Sequence, residues 1–206
     1  FAIGAILIAM TGASVLDAYY AMFRGAIFDP TARSFQRQIK PLTESLFFSI
    51  PLVLGGLGLA LGFRAGLFNI GGNGQIIFGA LAAVWVGFAM NLPPVVHTLV
   101  ALLAAMVAGA LYAGIAGVLK AKTGANEVIV TIMLNSIATL ALGYILSKKS
   151  WQVPGSNQPQ TPKVADSAAF TRILDAPFKI HVGLFVALLA VIVFWWLIER
   201  STLGFE

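Results

Sequence analysis

Apolar runs of about 17–25 residues, the length a helix needs to cross a bilayer core of about 30 Å, recur along this chain. They occupy about 1–22, 45–63, 75–92, 94–119, 127–147 and 180–198. A soluble helical bundle would alternate such runs with amphipathic helices, and here they follow one another with only short polar joints between most of them. The expected fold is therefore all-α: a polytopic transmembrane helical bundle of about six membrane segments in contact with the lipid bilayer. Composition agrees, with 59% hydrophobic and 10% charged residues, where soluble domains carry roughly a quarter charged.

Several function classes drop out at once. The chain has no cysteine, which excludes disulfides, thiolate metal sites and cysteine nucleophiles. The net charge of +5 comes from Lys and Arg scattered through the joints, so no nucleic-acid partner is expected. His97 and His181 stand at the mouths of apolar segments without a second ligand at metal spacing, so no metal and no other cofactor is expected. No nucleophile elbow or H-E-x-x-H pattern marks an intramembrane hydrolase, and no catalytic residue is assigned.

The joints differ in character. Residues 24–43 are polar and contain Asp29-Pro30, while Pro93-Pro94 forces a tight turn. The longest joint, 148–179, carries Pro154, Pro159, Pro162 and Pro177 among polar residues, with room for a short helix near 165–174. Ala101, Ala105, Gly109, Ala113 and Gly117 form a ridge of small side chains at steps of four, and Gly58, Gly62 and Gly66 repeat that spacing, as helices do when they pack closely. Trp195-Trp196 resemble interfacial anchors, with packing as the alternative.

Two stretches interrupt the apolar pattern. Between Arg64 and Gln75, four glycines and three amides (Asn69, Asn73 and Gln75) break what would otherwise continue as helix. Unpaired amides are costly in hydrocarbon, so the choice is a broken or re-entrant helix beside a wet solute path or an ordinary exposed loop. No Gly-Lys-Ser/Thr follows, which rules out a nucleotide-binding loop. The second stretch places Glu127, Thr131, Asn135 and Thr139 at steps of four, a polar stripe on one helix face. Either it walls a solute path or it bonds to other helices; Asn135, the costliest to bury idle, is assigned to the path, and Glu127 to capping the helix start.

Gly66-Leu67-Phe68-Asn69-Ile70-Gly71 with Gly74-Gln75, Asn126-Glu127-Val128-Ile129 with Thr131 and Met133-Leu134-Asn135, and Ser201-Thr202-Leu203-Gly204-Phe205-Glu206 resemble the signatures of bacterial ABC importer permeases. The match is closest to the nucleoside and simple-sugar branch of the family that also includes ribose and branched-chain amino acid importers. Many relatives have an acidic residue in the Gly-Gln motif where this chain has Asn73.

The resemblance implies a small polar solute as cargo, a nucleoside or related simple sugar, carried across the bacterial inner membrane. It also implies a second permease subunit, ABC ATPase subunits that hydrolyse the ATP, and an extracytoplasmic substrate-binding protein. By the same resemblance Thr202, Gly204, Phe205 and Glu206 belong to the segment that couples to the ATPase. Residues 1–206 are expected to form a single transmembrane permease domain, a fragment truncated at both ends. The alternatives are a permease of the same family for free sugars or branched-chain amino acids, or a stand-alone secondary transporter, which would want an intramembrane ionisable pair and an inverted repeat. The family orientation puts Lys120 and Lys122 in the cytoplasm and Arg24, Arg33, Arg37, Lys40, Lys148 and Lys149 outside, against the positive-inside tendency.

Overall fold

The computed structural model describes residues 1–174 and 178–200. Helix dominates, and the described residues contain no strand, only an isolated antiparallel bridge between Arg172 and His181. Among the described residues seven α-helices follow in order: α1 (Ala2–Met10), α2 (Val15–Ala26), α3 (Phe35–Arg64), α4 (Gly72–Ala89), α5 (Pro94–Thr123), α6 (Glu127–Leu146) and α7 (Gly183–Glu199). Of these, α3, α4, α5 and α6 are long and apolar enough to cross a membrane, and α7 is a shorter apolar helix of 17 residues. Large apolar side chains such as Leu99, Leu103, Met106 and Leu111 stand exposed along α5, as lipid-facing residues do.

Three expectations change. The first apolar segment is two helices: Thr11 Oγ1 donates to the Ile8 carbonyl at 2.7 Å to close α1, and the Ser14 hydroxyl accepts from Asp17 N at 3.3 Å to open α2. Hydropathy runs on through Thr11–Ser14 and hides this stop and start. The second segment begins about ten residues early, at Phe35, because Gln36, Arg37, Gln38 and Lys40 are good helix formers despite their polarity. The helix expected near 165–174 is a single 3₁₀ turn, Asp166–Ala168, and a second such turn covers Lys149–Trp151.

The chain divides into two compact units, 1–54 with 171–206, and 55–170, so α3 contributes to both. In the first unit Tyr19 returns to Phe1, ring centroids 5.9 Å apart, closing α1 on α2. Arg24 pairs with Asp29 at 2.7 Å, and the Thr31 hydroxyl together with Arg24 holds the Asp29 carboxyl below the usual carboxylate range. Glu44 pairs with Lys179 at 3.1 Å, and Phe47 meets His181 edge-on at 5.3 Å. Trp195 and Trp196 are both exposed.

In the second unit α4 packs on α5 and α6. The small-residue ridge of α5 makes this possible: a Cβ on Gly79 would lie 3.0 Å from the Ala105 carbonyl oxygen, and one on Gly109 would lie 3.4 Å from that of Gln75. The glycine series of α3 behaves otherwise: Gly58 meets nothing within 4 Å, a Cβ on Gly62 would lie 3.3 Å from the Leu67 carbonyl oxygen just after its own helix, and Gly66 lies beyond the end of the helix.

Candidate functional site

The break after α3 begins with a cap written in the local sequence. Gly66 takes φ +69°, its N–H bonds to Phe63 O at 3.1 Å, and the Leu67 N–H bonds to Gly62 O at 2.9 Å. This paired arrangement satisfies the last carbonyls of a helix and needs a residue tolerant of the left-handed region, which glycine is. Asn69 then turns the chain, its Oδ1 accepting from Gly71 N at 2.8 Å and from Gln75 Nε2 at 3.2 Å. From Gly72 the chain is helical again as α4.

The polar stripe of α6 meets this break rung by rung. Ile70 N donates to Thr131 Oγ1 at 3.3 Å, Gly74 N donates to Asn135 Oδ1 at 2.8 Å, and Asn135 Nδ2 donates to Ile70 O at 2.9 Å. At 1.5 Å per residue, Asn135 lies about 12 Å along a helix about 30 Å long, so the irregular backbone reaches close to the middle of α6. Both ends of the Asn135 amide serve backbone groups that would otherwise lack partners at that depth.

Close packing holds the inner end of the break. Tyr112 of α5 donates to the Leu134 carbonyl at 2.7 Å and stacks on Phe78 with ring centroids 4.1 Å apart. A Cβ at Gly74 would stand 2.8 Å from the Tyr112 ring and 3.3 Å from Asn135 Oδ1, so only glycine fits there without displacing one of them. Beside the outer part of the break lies a cavity of about 120 Å³. Leu67, Phe68 and Asn69 border it on one side, Ala113, Ala116 and Gly117 on another, and Glu127 and Thr131 of α6 complete it. Glu127 does not cap its helix; Asn126 does, accepting from Val128 N at 2.9 Å, while the Glu127 carboxylate pairs with Lys120 at 2.8 Å. Lys120 Nζ also donates to the Gly66 carbonyl at 3.2 Å.

Of the expected pathway residues, Asn69, Gln75, Thr131 and Asn135 therefore come together. Asn73 is exposed in the first turn of α4 and its side chain makes no hydrogen bond among the described residues. Thr139 is exposed and bonds back to Asn135 O at 3.0 Å within its own helix. Thr202, Gly204, Phe205 and Glu206 lie outside the described residues. Among the described residues no group of His, Asp or Glu could hold a metal ion.

Sequence reasoning missed the other end of this unit. His97 is not at an open mouth but fully buried, with Nε2 3.0 Å from the Val86 carbonyl and Nδ1 2.8 Å from Ser167 Oγ. A carbonyl only accepts, so Nε2 carries a proton. Thr98 Oγ1 donates to Ser167 O at 3.1 Å and Ala165 N to Gly87 O at 2.9 Å, while Val164 sits where a side chain at Gly87 would be, 2.5 Å from its ideal Cβ. The long joint is thus fastened onto the α4–α5 turn. Ser167 lies 70 residues from His97 in sequence, and no local signal announces the pairing; Tyr112, an isolated polar tip in a small-residue helix, carries a more legible one.

Residues 42–206 match the family described as branched-chain amino acid transport system / permease component. Over the whole chain the sequence is 40% identical to a guanosine ABC transporter permease protein of Bacillus subtilis, covering 56% of that protein. It is 34% identical to a glucose ABC transporter permease protein of Haloferax volcanii, covering 54% of it, and 30% identical to a nucleoside ABC transporter permease protein of Lactococcus lactis subsp. cremoris, covering 56%. The chain thus spans about half the length of these curated relatives. No solved structure matches it.

Proposed function

The chain belongs to the branched-chain amino acid transport system / permease component family, a multi-pass membrane protein by its apolar helices, and from that premise we propose that it is a permease subunit of an ATP-binding cassette importer for nucleosides. Two of the three relatives carry nucleoside names; the glucose permease among them supports a simple sugar as the second reading. ATP is hydrolysed by separate ABC ATPase subunits, and an extracytoplasmic binding protein and a second permease subunit complete the assembly in the bacterial inner membrane. Residues 1–206 act within one transmembrane permease domain.

One observation supports the solute path above all others: irregular backbone that reaches close to the middle of α6, with a cavity beside its outer part. Backbone of this kind at membrane depth occurs where it is buried in protein or lines a wet cavity. In this reading Asn69, Asn73, Gln75, Thr131, Asn135 and Thr139 line the path, with Asn135 shaping its wall by holding the break in place. The end bearing Gly66, Lys120 and Glu127 faces the cytoplasm, and the end bearing His97 and residues 148–170 faces the binding protein; coupling to the ATPase is assigned to Thr202, Gly204, Phe205 and Glu206 by sequence resemblance alone. The test is uptake of labelled guanosine, glucose and leucine by cells expressing the complete transporter. Guanosine uptake abolished by loss of the permease is the expected result, and uptake of leucine alone would contradict the nucleoside assignment.

A further inference from the structure

The two ends of the break are held by different chemistry. Its inner end, Ile70 to Gln75, is fixed by neutral bonds to Thr131 and Asn135 and by the tight fit of Gly74 against Tyr112. Its outer end depends on Lys120, which reaches the Gly66 carbonyl at 3.2 Å and the Glu127 carboxylate at 2.8 Å, and on Glu127, whose carboxylate also takes a backbone hydrogen bond from Phe68. That ion pair is part open, with 35% and 22% of the two side chains exposed, so water competes for both charges and the link is the easier one to release. Between the two ends, Leu67, Phe68 and Asn69 lie over the cavity, with the small residues Ala113, Ala116 and Gly117 of α5 on its other side.

We propose that Lys120 and Glu127 are a positioning pair, an ionic latch that holds the Leu67–Asn69 segment over this cavity, and that release of the latch opens the cavity to the aqueous phase at that end. The geometry stands on the distances above; only its role in transport rests on the permease reading. Three features fit a latch rather than a static tie. Lys120 stands in the last turn of α5 and Glu127 in the first turn of α6, so a small shift between these helices separates the charges. The segment it holds is flanked by a glycine at φ +69° on one side and an asparagine turn on the other, two places where the backbone direction changes outside any helix. The cavity supplies free volume beside the segment, whereas at the inner end Gly74 fits tightly against the Tyr112 ring.

The chain has no cysteine, so a single thiol reporter at Ala116, buried and lining the cavity, reads its accessibility directly. In isolated membranes containing the complete transporter, Ala116→Cys is treated with a small methanethiosulfonate, with and without Lys120→Met, Lys120→Arg or Glu127→Gln. A second reporter at Ala101, buried elsewhere on α5, reports general unfolding. The expected result is labelling at position 116 that is at least about tenfold faster with Lys120→Met, the change a loss of about 1.4 kcal/mol of closure would give. Lys120→Arg should stay near the parent rate, and the Lys120→Met, Glu127→Gln double variant should react no faster than Lys120→Met, with position 101 unchanged throughout. Equal rates for Lys120→Met and Lys120→Arg, additive effects of Lys120→Met and Glu127→Gln, or acceleration at position 101 as much as at 116 would overturn the latch. Uptake is scored separately, so a latch found in a protein that moves no nucleoside counts against the transport assignment alone.

Discussion

At the end of the second unit where α4 turns into α5, the joint that follows α6 is clamped by a fully buried His97 using both ring nitrogens, and Val164 fills the space left by Gly87. At the other end of the unit, the break between α3 and α4 is held by amides and hydroxyls that are partly open, and by an ion pair beside a cavity of about 120 Å³. Both ends face the same requirement, that irregular backbone near a membrane find partners for its N–H and C=O groups. They meet it with opposite mechanical results. A fully buried, close-packed clamp resists opening, whereas a partly exposed and partly ionic one beside free volume yields to small shifts.

That contrast predicts unequal costs for single substitutions. His97→Ala should be the larger, about 2–4 kcal/mol, because it leaves an imidazole-sized hole and deprives the Ser167 hydroxyl of its partner, while the Val86 carbonyl keeps only its bond from Met90 N. The measurement is thermal unfolding of the detergent-solubilised protein. A loss below about 0.5 kcal/mol would show that the clamp is not tight.

Asn135→Leu should cost less, about 1–3 kcal/mol, since it strands Gly74 N and Ile70 O but water reaches part of that site. Its effect should appear first as disordering of the break, seen as faster hydrogen exchange of the Ile70–Gln75 amides. Protection unchanged there would remove Asn135 from the role of holding the break. Thr139→Val should be smallest, within about 0.5 kcal/mol, because the hydroxyl is exposed and bonds only its own helix. A fall in uptake by this variant at normal abundance therefore reports on the path and not on folding.

How far this was legible from sequence differs between the same two regions. The break could be found because its residues carry their own signals: four glycines and three amides that interrupt an apolar run, and a four-step polar stripe on the helix that receives them. Hydropathy alone also located α4, α5 and α6 to within a few residues, since their apolar runs end at proline, glycine or asparagine. The clamp was not visible, because His97 and Ser167 are ordinary residues until the fold brings them together across 70 positions. The pairing of Glu127 is hidden for a related reason: a carboxylate at a helix start suits the dipole, and only the turn between α5 and α6 shows that Lys120 lies within reach. The start of α3 and the interruption between α1 and α2 went astray where polarity and helicity part company, a polar stretch that is helical and an apolar stretch that is not.

The central claim is that the break between α3 and α4 borders the solute path, and its most direct test uses the exposed side chain of Asn73. In the assembled transporter with binding protein, nucleoside and ATP, Asn73→Cys should react with a small thiol reagent at a rate that changes when transport is running, while Ser156→Cys in the joint after α6 should react alike under all conditions. The same rate at position 73 with and without substrate and ATP, or no reaction there at all, would contradict the account.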